Sequence, residues 1–365
     1  MRITISEKNL WYFAFAILIV KSVFYLFYRW FELDTLFGGG NDADYYHNYA
    51  LGYVRVAVNQ WSIILRSLND NGLYDRDDIT LIIVVTSNTL IPYLYYKMIK
   101  VHAKVQADEI NLVKAASIFL VIFYPTLFTL TLDIYRDVLM FTVLLLALLI
   151  YKKIFETNWL IGNVYFIAFM SLAYFLYLLR DYLGFALALT PFVYLIFTKT
   201  SKYIKTWIII YLGVLILVKI SGGLDEILLY RERFLLGGTT LGITLYDKNP
   251  IMFLIYFFFS FLGQLLGLFL VSINSIILLI LETVPFCLAF RYLLKNTKFY
   301  NKFVVFLLTF FVIYTTVWLL GNDNLGTAAR LRIPSYLVVF ASMFIVYQTK
   351  IVAGYEMIKE NKKKI

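Results

Sequence analysis

A single cysteine, Cys287, lies inside an apolar block, so the chain can form no intrachain disulfide and no metal cluster built on thiolates. Charge is also scarce. Only 15% of the 365 residues are Asp, Glu, Lys or Arg, against 61% hydrophobic, a balance that excludes an ordinary soluble globular protein. No internal repeat, low-complexity run or linker divides the sequence, which reads as one membrane domain over 1–365. The first apolar block, Leu10 to Trp30, is too long for a signal-peptide core and has no small-residue cleavage site, so it reads as a retained helix.

What the chain does have is apolar blocks long enough to cross about 30 Å of hydrocarbon at about 1.5 Å per residue. The pattern predicts an all-α, polytopic helix bundle with about ten spans, at 10–30, 79–99, 112–132, 137–151, 159–179, 182–198, 206–220, 273–290, 303–320 and 335–349. Lysines cluster at Lys97, Lys100 and Lys104, at Lys152 and Lys153, at Lys199, Lys202 and Lys205, at Lys295, Lys298 and Lys302, and from Lys359 to Lys364. The positive-inside rule assigns these clusters, and both chain ends, to the cytoplasm. Ten spans satisfy every cluster when the apolar stretch Ile251 to Leu270 is re-entrant or interfacial. The net charge of +10 then has a topological explanation, and nothing points to nucleic acid.

The opposite face receives the segments 31–78, 133–136, 221–250 and 321–334, with a tail, 350–365, on the cytoplasmic side. In the first, apolar residues recur at helical spacing from Tyr45 to Leu68, which predicts an amphipathic helix lying in the interface. The outer face holds nine arginines (Arg55, Arg66, Arg76, Arg136, Arg180, Arg231, Arg233, Arg330 and Arg332) and one clear lysine, Lys248. Arginine's planar fork grips phosphate through two parallel hydrogen bonds where lysine offers a point charge, so this bias suits a lipid phosphate or pyrophosphate site. The candidates for that contact are Arg136, Arg180, Arg231, Arg233, Arg330 and Arg332. The bland alternative is that each pairs with a nearby acid or anchors a helix end.

Just after the first span stands Gly38-Gly39-Gly40-Asn41-Asp42-Ala43-Asp44-Tyr45-Tyr46-His47. Asp42 or Asp44 can serve as general base toward a sugar hydroxyl. Alternatively Asp42 and Asp44, with His47, can hold a divalent cation that neutralises a phosphate leaving group, the one cofactor the sequence suggests. A third role is simply to cap the following helix.

The layout and short motifs resemble the GT-C superfamily of polytopic glycosyltransferases, in particular bacterial relatives of the protein mannosyltransferases. The matching parts are Asn41-Asp42-Ala43-Asp44-Tyr45-Tyr46, Tyr124-Pro125, Asp133 to Arg136-Asp137, Leu179-Arg180-Asp181-Tyr182-Leu183 and Arg330-Leu331-Arg332-Ile333-Pro334. The resemblance implies transfer of a sugar from a polyprenyl phosphate or pyrophosphate at the outer side of a bacterial inner membrane, with a first-loop Asp as base and arginines on the phosphate. The polymerases that join lipid-linked repeat units of O-antigen or capsule share the layout, and the sequence does not separate the two. The implied partners are the lipid-linked sugar, membrane lipids and other polysaccharide-assembly proteins. A transporter or flippase is the non-enzyme alternative, and it would make most of Glu282, a lone carboxylate inside an apolar block. Reporter fusions after Lys104, Lys202 and Lys298 should report cytoplasm and fusions near Asp70 and Gly238 the outer side; an outer signal at Lys298 would defeat the ten-span topology.

Overall fold

The computed structural model describes residues 6–31, 41–101, 108–197, 204–236, 239–269 and 272–363. Among them the chain is all-α, with only an isolated antiparallel bridge between Thr240 and Asn324. In order, the helices are α1 (Glu7–Trp30), α2 (Asn41–Ala50), α3 (Gln60–Asp70), α4 (Arg76–Ile99), α5 (Asp108–Phe123), α6 (Pro125–Thr129), α7 (Asp137–Ile154) and α8 (Trp159–Leu179). They continue with α9 (Asp181–Phe197), α10 (Ile204–Ile220), α11 (Asp225–Glu232), α12 (Pro250–Leu265), α13 (Ile273–Lys295), α14 (Lys302–Gly321) and α15 (Leu325–Lys363).

Six of these, α1, α4, α8, α13, α14 and α15 up to Tyr355, are long and apolar enough to cross a membrane, and α9, α10 and α12 are shorter apolar helices. By helix length and hydropathy this is a multi-pass membrane protein. A helix meets all its own backbone hydrogen-bonding needs, which is what hydrocarbon demands. Burial separates the six by role. Only 17% of the α1 window and 22% of those of α8 and α13 are buried, against 67% for α14, so α1, α8 and α13 present most of their apolar surface outward while α14 is core.

The chain divides into two compact units, one of residues 1–185, 292–301 and 340–365 and the other of 186–291 and 302–339. In the first, α1 packs on α5, α4 on α5 and α7, α7 on α8, and α2 on α3. In the second, α11 and α12 pack on α14, and α10 on α12.

Several expected elements take a different form. The span expected at 112–132 is broken: α5 ends at Phe123, Tyr124 turns out of the helix at ψ 109°, and Pro125 opens the short α6. Proline disfavours helical backbone in the residue before it, which accounts for the break. The single interfacial helix expected from Tyr45 to Leu68 is two helices. Gly52, at φ +87°, turns the chain after α2, and Asn59 starts α3 by accepting from the Trp61 and Ser62 amides. The apolar spacing of α3 then buries Trp61 and Leu65 against protein rather than lipid, and Trp61 Nε1 donates to the Ile134 carbonyl at 2.8 Å. The outer loop expected at 321–334 shrinks to a few residues, because Asn324 caps α15 through the Thr327 amide at 2.8 Å. Arg330 and Arg332 consequently lie within a helix. The lysine-rich tail from 350 also continues α15, as a run of good helix formers allows.

The corner between α8 and α9 depends on one glycine. Arg180 is extended at φ −158°, and α9 leaves so close to α8 that a Cβ on Gly184 would lie 2.1 Å from the Tyr177 nitrogen and 2.5 Å from the Ala173 oxygen. Gly184→Ala should therefore destabilise the protein by about 1–3 kcal/mol, the cost of forced overpacking, read as a lower unfolding midpoint in detergent. An unchanged midpoint would show that the corner can open.

Candidate functional site

The first unit brings α2 together with the turn 133–136 and the Arg180 corner. The glycines Gly38, Gly39 and Gly40 lie outside the described residues. Asp42 and Asp44 fall in the first turn of α2, where the helix dipole favours carboxylates. Ala43, Tyr46 and Ala50 form its buried face. Residues two apart on a helix point away from each other, whereas those three or four apart share a side. Asp44 thus travels with His47, and Asp42 with Tyr46.

The Asp44 side is organised by Arg76, the first residue of α4. Its Nη2 donates to Asp44 Oδ1 at 2.9 Å and to Asp133 Oδ2 at 2.5 Å, while Nε donates to Asp133 Oδ1 at 2.9 Å. Asp133 is 2% exposed and also accepts from the Ile134 amide at 2.7 Å, so this fork is a fixed strut. Asp44, 60% exposed, is the open end of the chain Asp133–Arg76–Asp44. Beside it, His47 Nδ1 lies 2.8 Å from the Tyr74 hydroxyl. Burial, with Arg76 adding repulsion, lowers the His47 pKa from its usual value, and burial pushes the Tyr74 phenol up to about 12. At neutral pH the imidazole is therefore uncharged and the phenol protonated.

On the Asp42 side, Tyr46 leads toward Arg136. Tyr46, whose hydroxyl accepts from Asn59 Nδ2 at 3.2 Å, lies within electrostatic reach of Arg136, Asp42 and Asp137, and burial raises its pKa. Arg136 Nη1 donates to the Leu179 carbonyl at 2.8 Å, and its buried Nε meets no acceptor. Arg180 is 9% exposed, with Nη1 3.6 Å from Asp137 Oδ1 and its guanidinium over the Tyr182 ring. Burial lowers the Arg136 pKa, and the neighbouring Arg180 lowers it further. Two guanidiniums are thus held close together in a largely dry setting, with Asp137 as a neighbouring acid.

No protein-family model, curated protein or solved structure matches this chain.

The other arginine candidates lie in the second unit and differ in use. Arg231 is fully buried: Nε donates to the Ile243 carbonyl, Nη1 to the Leu319 and Asn322 carbonyls and Ser260 Oγ, and Nη2 to Asp323 Oδ1. With its donors committed inside the protein, it is a structural clamp instead of the phosphate ligand expected. Arg233 is exposed near the Tyr230 ring, and Arg330 is half-buried. Arg332, 6% exposed, gives Nε to the Gln264 carbonyl at 2.5 Å. Its fork lies against Gly267, where a Cβ would come within 2.8 Å of Nη1.

A cation site at Asp42, Asp44 and His47 is not assembled: among the described residues no three His, Cys, Asp or Glu side chains are grouped to hold a metal ion. Asp42 and Asp44, two residues apart in the sequence, are turned away from each other by the helix. The connection of Arg76 to Asp133 spans 57 positions, beyond the reach of any local motif. Tyr74 carried no signal at all.

Burial makes the folded His47 resist protonation. Below about pH 6.5 the unfolded chain takes up a proton that the folded imidazole refuses, so stability is fully present above that value and falls as pH drops toward the lowered folded pKa. Unfolding midpoints in detergent from pH 7.5 down to 5 should decline in the wild type and decline less in His47→Gln. Identical curves would place His47 in an ordinary environment.

Proposed function

We propose that this protein is a membrane glycosyltransferase that acts at the outer face of a bacterial inner membrane on polyprenyl-phosphate- or pyrophosphate-linked sugars. It would serve surface polysaccharide assembly as a sugar transferase or as a repeat-unit polymerase. The topology that goes with this reading has about ten spans and cytoplasmic ends, so that α2, α3 and the turn 133–136 lie outside. The observation that carries it is the assembly, within one unit, of a carboxylate-bearing helix and a crowded arginine pair: Asp44 tethered through Arg76 to Asp133, and Arg136 beside Arg180.

The chemistry needs two things at once. A base must take the proton from the acceptor hydroxyl as its oxygen attacks the anomeric carbon, and a positive site must hold the lipid phosphate as its bond to that carbon breaks. Asp44 is exposed and held at a fixed angle, which suits the base. Arg136 and Arg180 suit the departing phosphate, since two adjacent guanidiniums can offer paired donors to its oxygens. Asp42, next to the arginine side, is the alternative base.

Asp44→Asn and Asp42→Asn retain size and hydrogen-bonding oxygens while removing charge. Loss of a general base costs roughly 10²- to 10⁴-fold, so at least one variant should make no detectable glycan at normal protein level. Arg180→Lys and Arg332→Lys preserve charge but lose the fork; clear impairment of Arg180→Lys is expected from a bidentate phosphate contact. Gel ladders of surface polysaccharide give the readout, and wild-type ladders in both Asp variants would remove the active site from α2.

One observation favours a transporter reading. Glu282, 1% exposed, lies in the π-helical segment Leu279–Thr283 of α13, and intramembrane carboxylates and π segments both recur at transport sites. Glycan loss in Glu282→Gln with full activity in the Asp42 and Asp44 variants would decide for it.

A further inference from the structure

A cavity of about 100 Å³ lies in the first unit at the C-terminal end of α4, next to the first turns of α5 and a stretch of α15. Its lining includes Tyr96, Lys100, Asn111, Lys114 and Gln348 together with the apolar side chains of Ile99 and Ile110, and among the described residues holds no acidic one. The bland explanation for lysines here is that they cap the carbonyls at the end of α4. That role is already filled. Lys152 Nζ donates to the Met98 carbonyl at 3.0 Å and the Lys100 carbonyl at 2.5 Å, and the buried Gln348 amide donates to the Ile99 carbonyl at 3.1 Å and accepts from the Val101 amide.

Lys100 and Lys114 are thereby left over. Neither has an acidic partner among the described residues, and the Lys114 ammonium lies over the Tyr96 ring, 5.0 Å from its centroid. The nearby acid Glu156 is taken by Lys153 at 2.7 Å. Lys152, close enough to Lys100 for mutual repulsion, adds a further positive charge. The cavity therefore combines two ammoniums without an acidic partner among the described residues with an apolar wall at the end of a helix long enough to span a membrane. That mixture fits an amphiphile's charged end. Its volume is well below the roughly 300–1,000 Å³ of a pocket that encloses a whole small molecule, so a single phosphate group fits while any attached chains remain outside.

We propose that this cavity binds the phosphate of an anionic phospholipid headgroup, with Lys100 and Lys114 as the donors. Basic pockets between helices at the lysine-rich end of membrane proteins meet the anionic leaflet there. The site shares no residue with the Asp44 and Arg136 cluster and involves no transfer step, so it stands or falls separately from the proposed activity.

Native mass spectrometry of the purified full chain in detergent, with phosphatidylglycerol or phosphatidylcholine added at equal concentration, tests it. The wild type should retain one phosphatidylglycerol in preference, and Lys100→Gln with Lys114→Gln should lower that retention roughly tenfold or more while elution and helical content stay unchanged. Should the double variant not accumulate, Asn111→Leu, which narrows the cavity with both charges left in place, should reduce retention as well. Equal retention of the two lipids, or phosphatidylglycerol retained undiminished by a folded variant, would overturn the proposal. So would stabilisation by inorganic phosphate alone equal to that by phosphatidylglycerol, which would make this a free-anion site.

Discussion

A charge left without a partner beside hydrocarbon costs about 2.5–3.5 kcal/mol on insertion scales and more when isolated, and the polar architecture of this chain follows from avoiding that cost. Asp133 and Arg231 show the two solutions. Asp133, nearly inaccessible, is gripped by the Arg76 fork and its neighbouring amide. Arg231 is surrounded by carbonyls and Asp323, whose second oxygen accepts from the Gly242 amide at 2.9 Å. Burial raises the Asp323 carboxyl from its ordinary pKa while the guanidinium opposes that shift, so the pair holds together only because nearly every polar atom in it is met.

The same constraint governs irregular backbone. Where a helix stops near the apolar layer, its loose amides and carbonyls must be met by protein. The turn after α6 is met this way: Trp61 covers the Ile134 carbonyl, Asp133 its amide, and Arg136 the Leu179 carbonyl at the next corner. The contacts that make this backbone tolerable also set the positions of Asp44, Arg136 and Arg180. Fold and candidate site are one network here, which explains why α3 turns its tryptophan inward and not toward lipid.

Much of this was legible beforehand. Apolar blocks of the sequence correspond to helices, among them the six long ones, and Asp44, Arg76, Asp133, Arg136 and Arg180 all fall in the first unit. What misled was local periodicity read without its interruptions. The spacing from Tyr45 to Leu68 is helical, yet Gly52 at positive φ and the capping Asn59 divide that stretch. Similarly, two aspartates two residues apart look like a pair in a sequence and diverge on a helix. Arg231 and Arg180 have the same residue type and similar flanking acids, but one has its donors committed inside the protein and the other stands beside a second guanidinium.

By itself the sequence determined the membrane character, the helical class and the concentration of arginine in a few segments, because each of these depends on composition and on period along a single chain. Which arginines are struts and which stand beside like charge was decided only by the tertiary structure. The reason is physical: whether a guanidinium is satisfied depends on acceptors brought to it from distant positions, as Asp133 is to Arg76 and the carbonyls of Leu319 and Asn322 are to Arg231. No spacing rule along the chain encodes that.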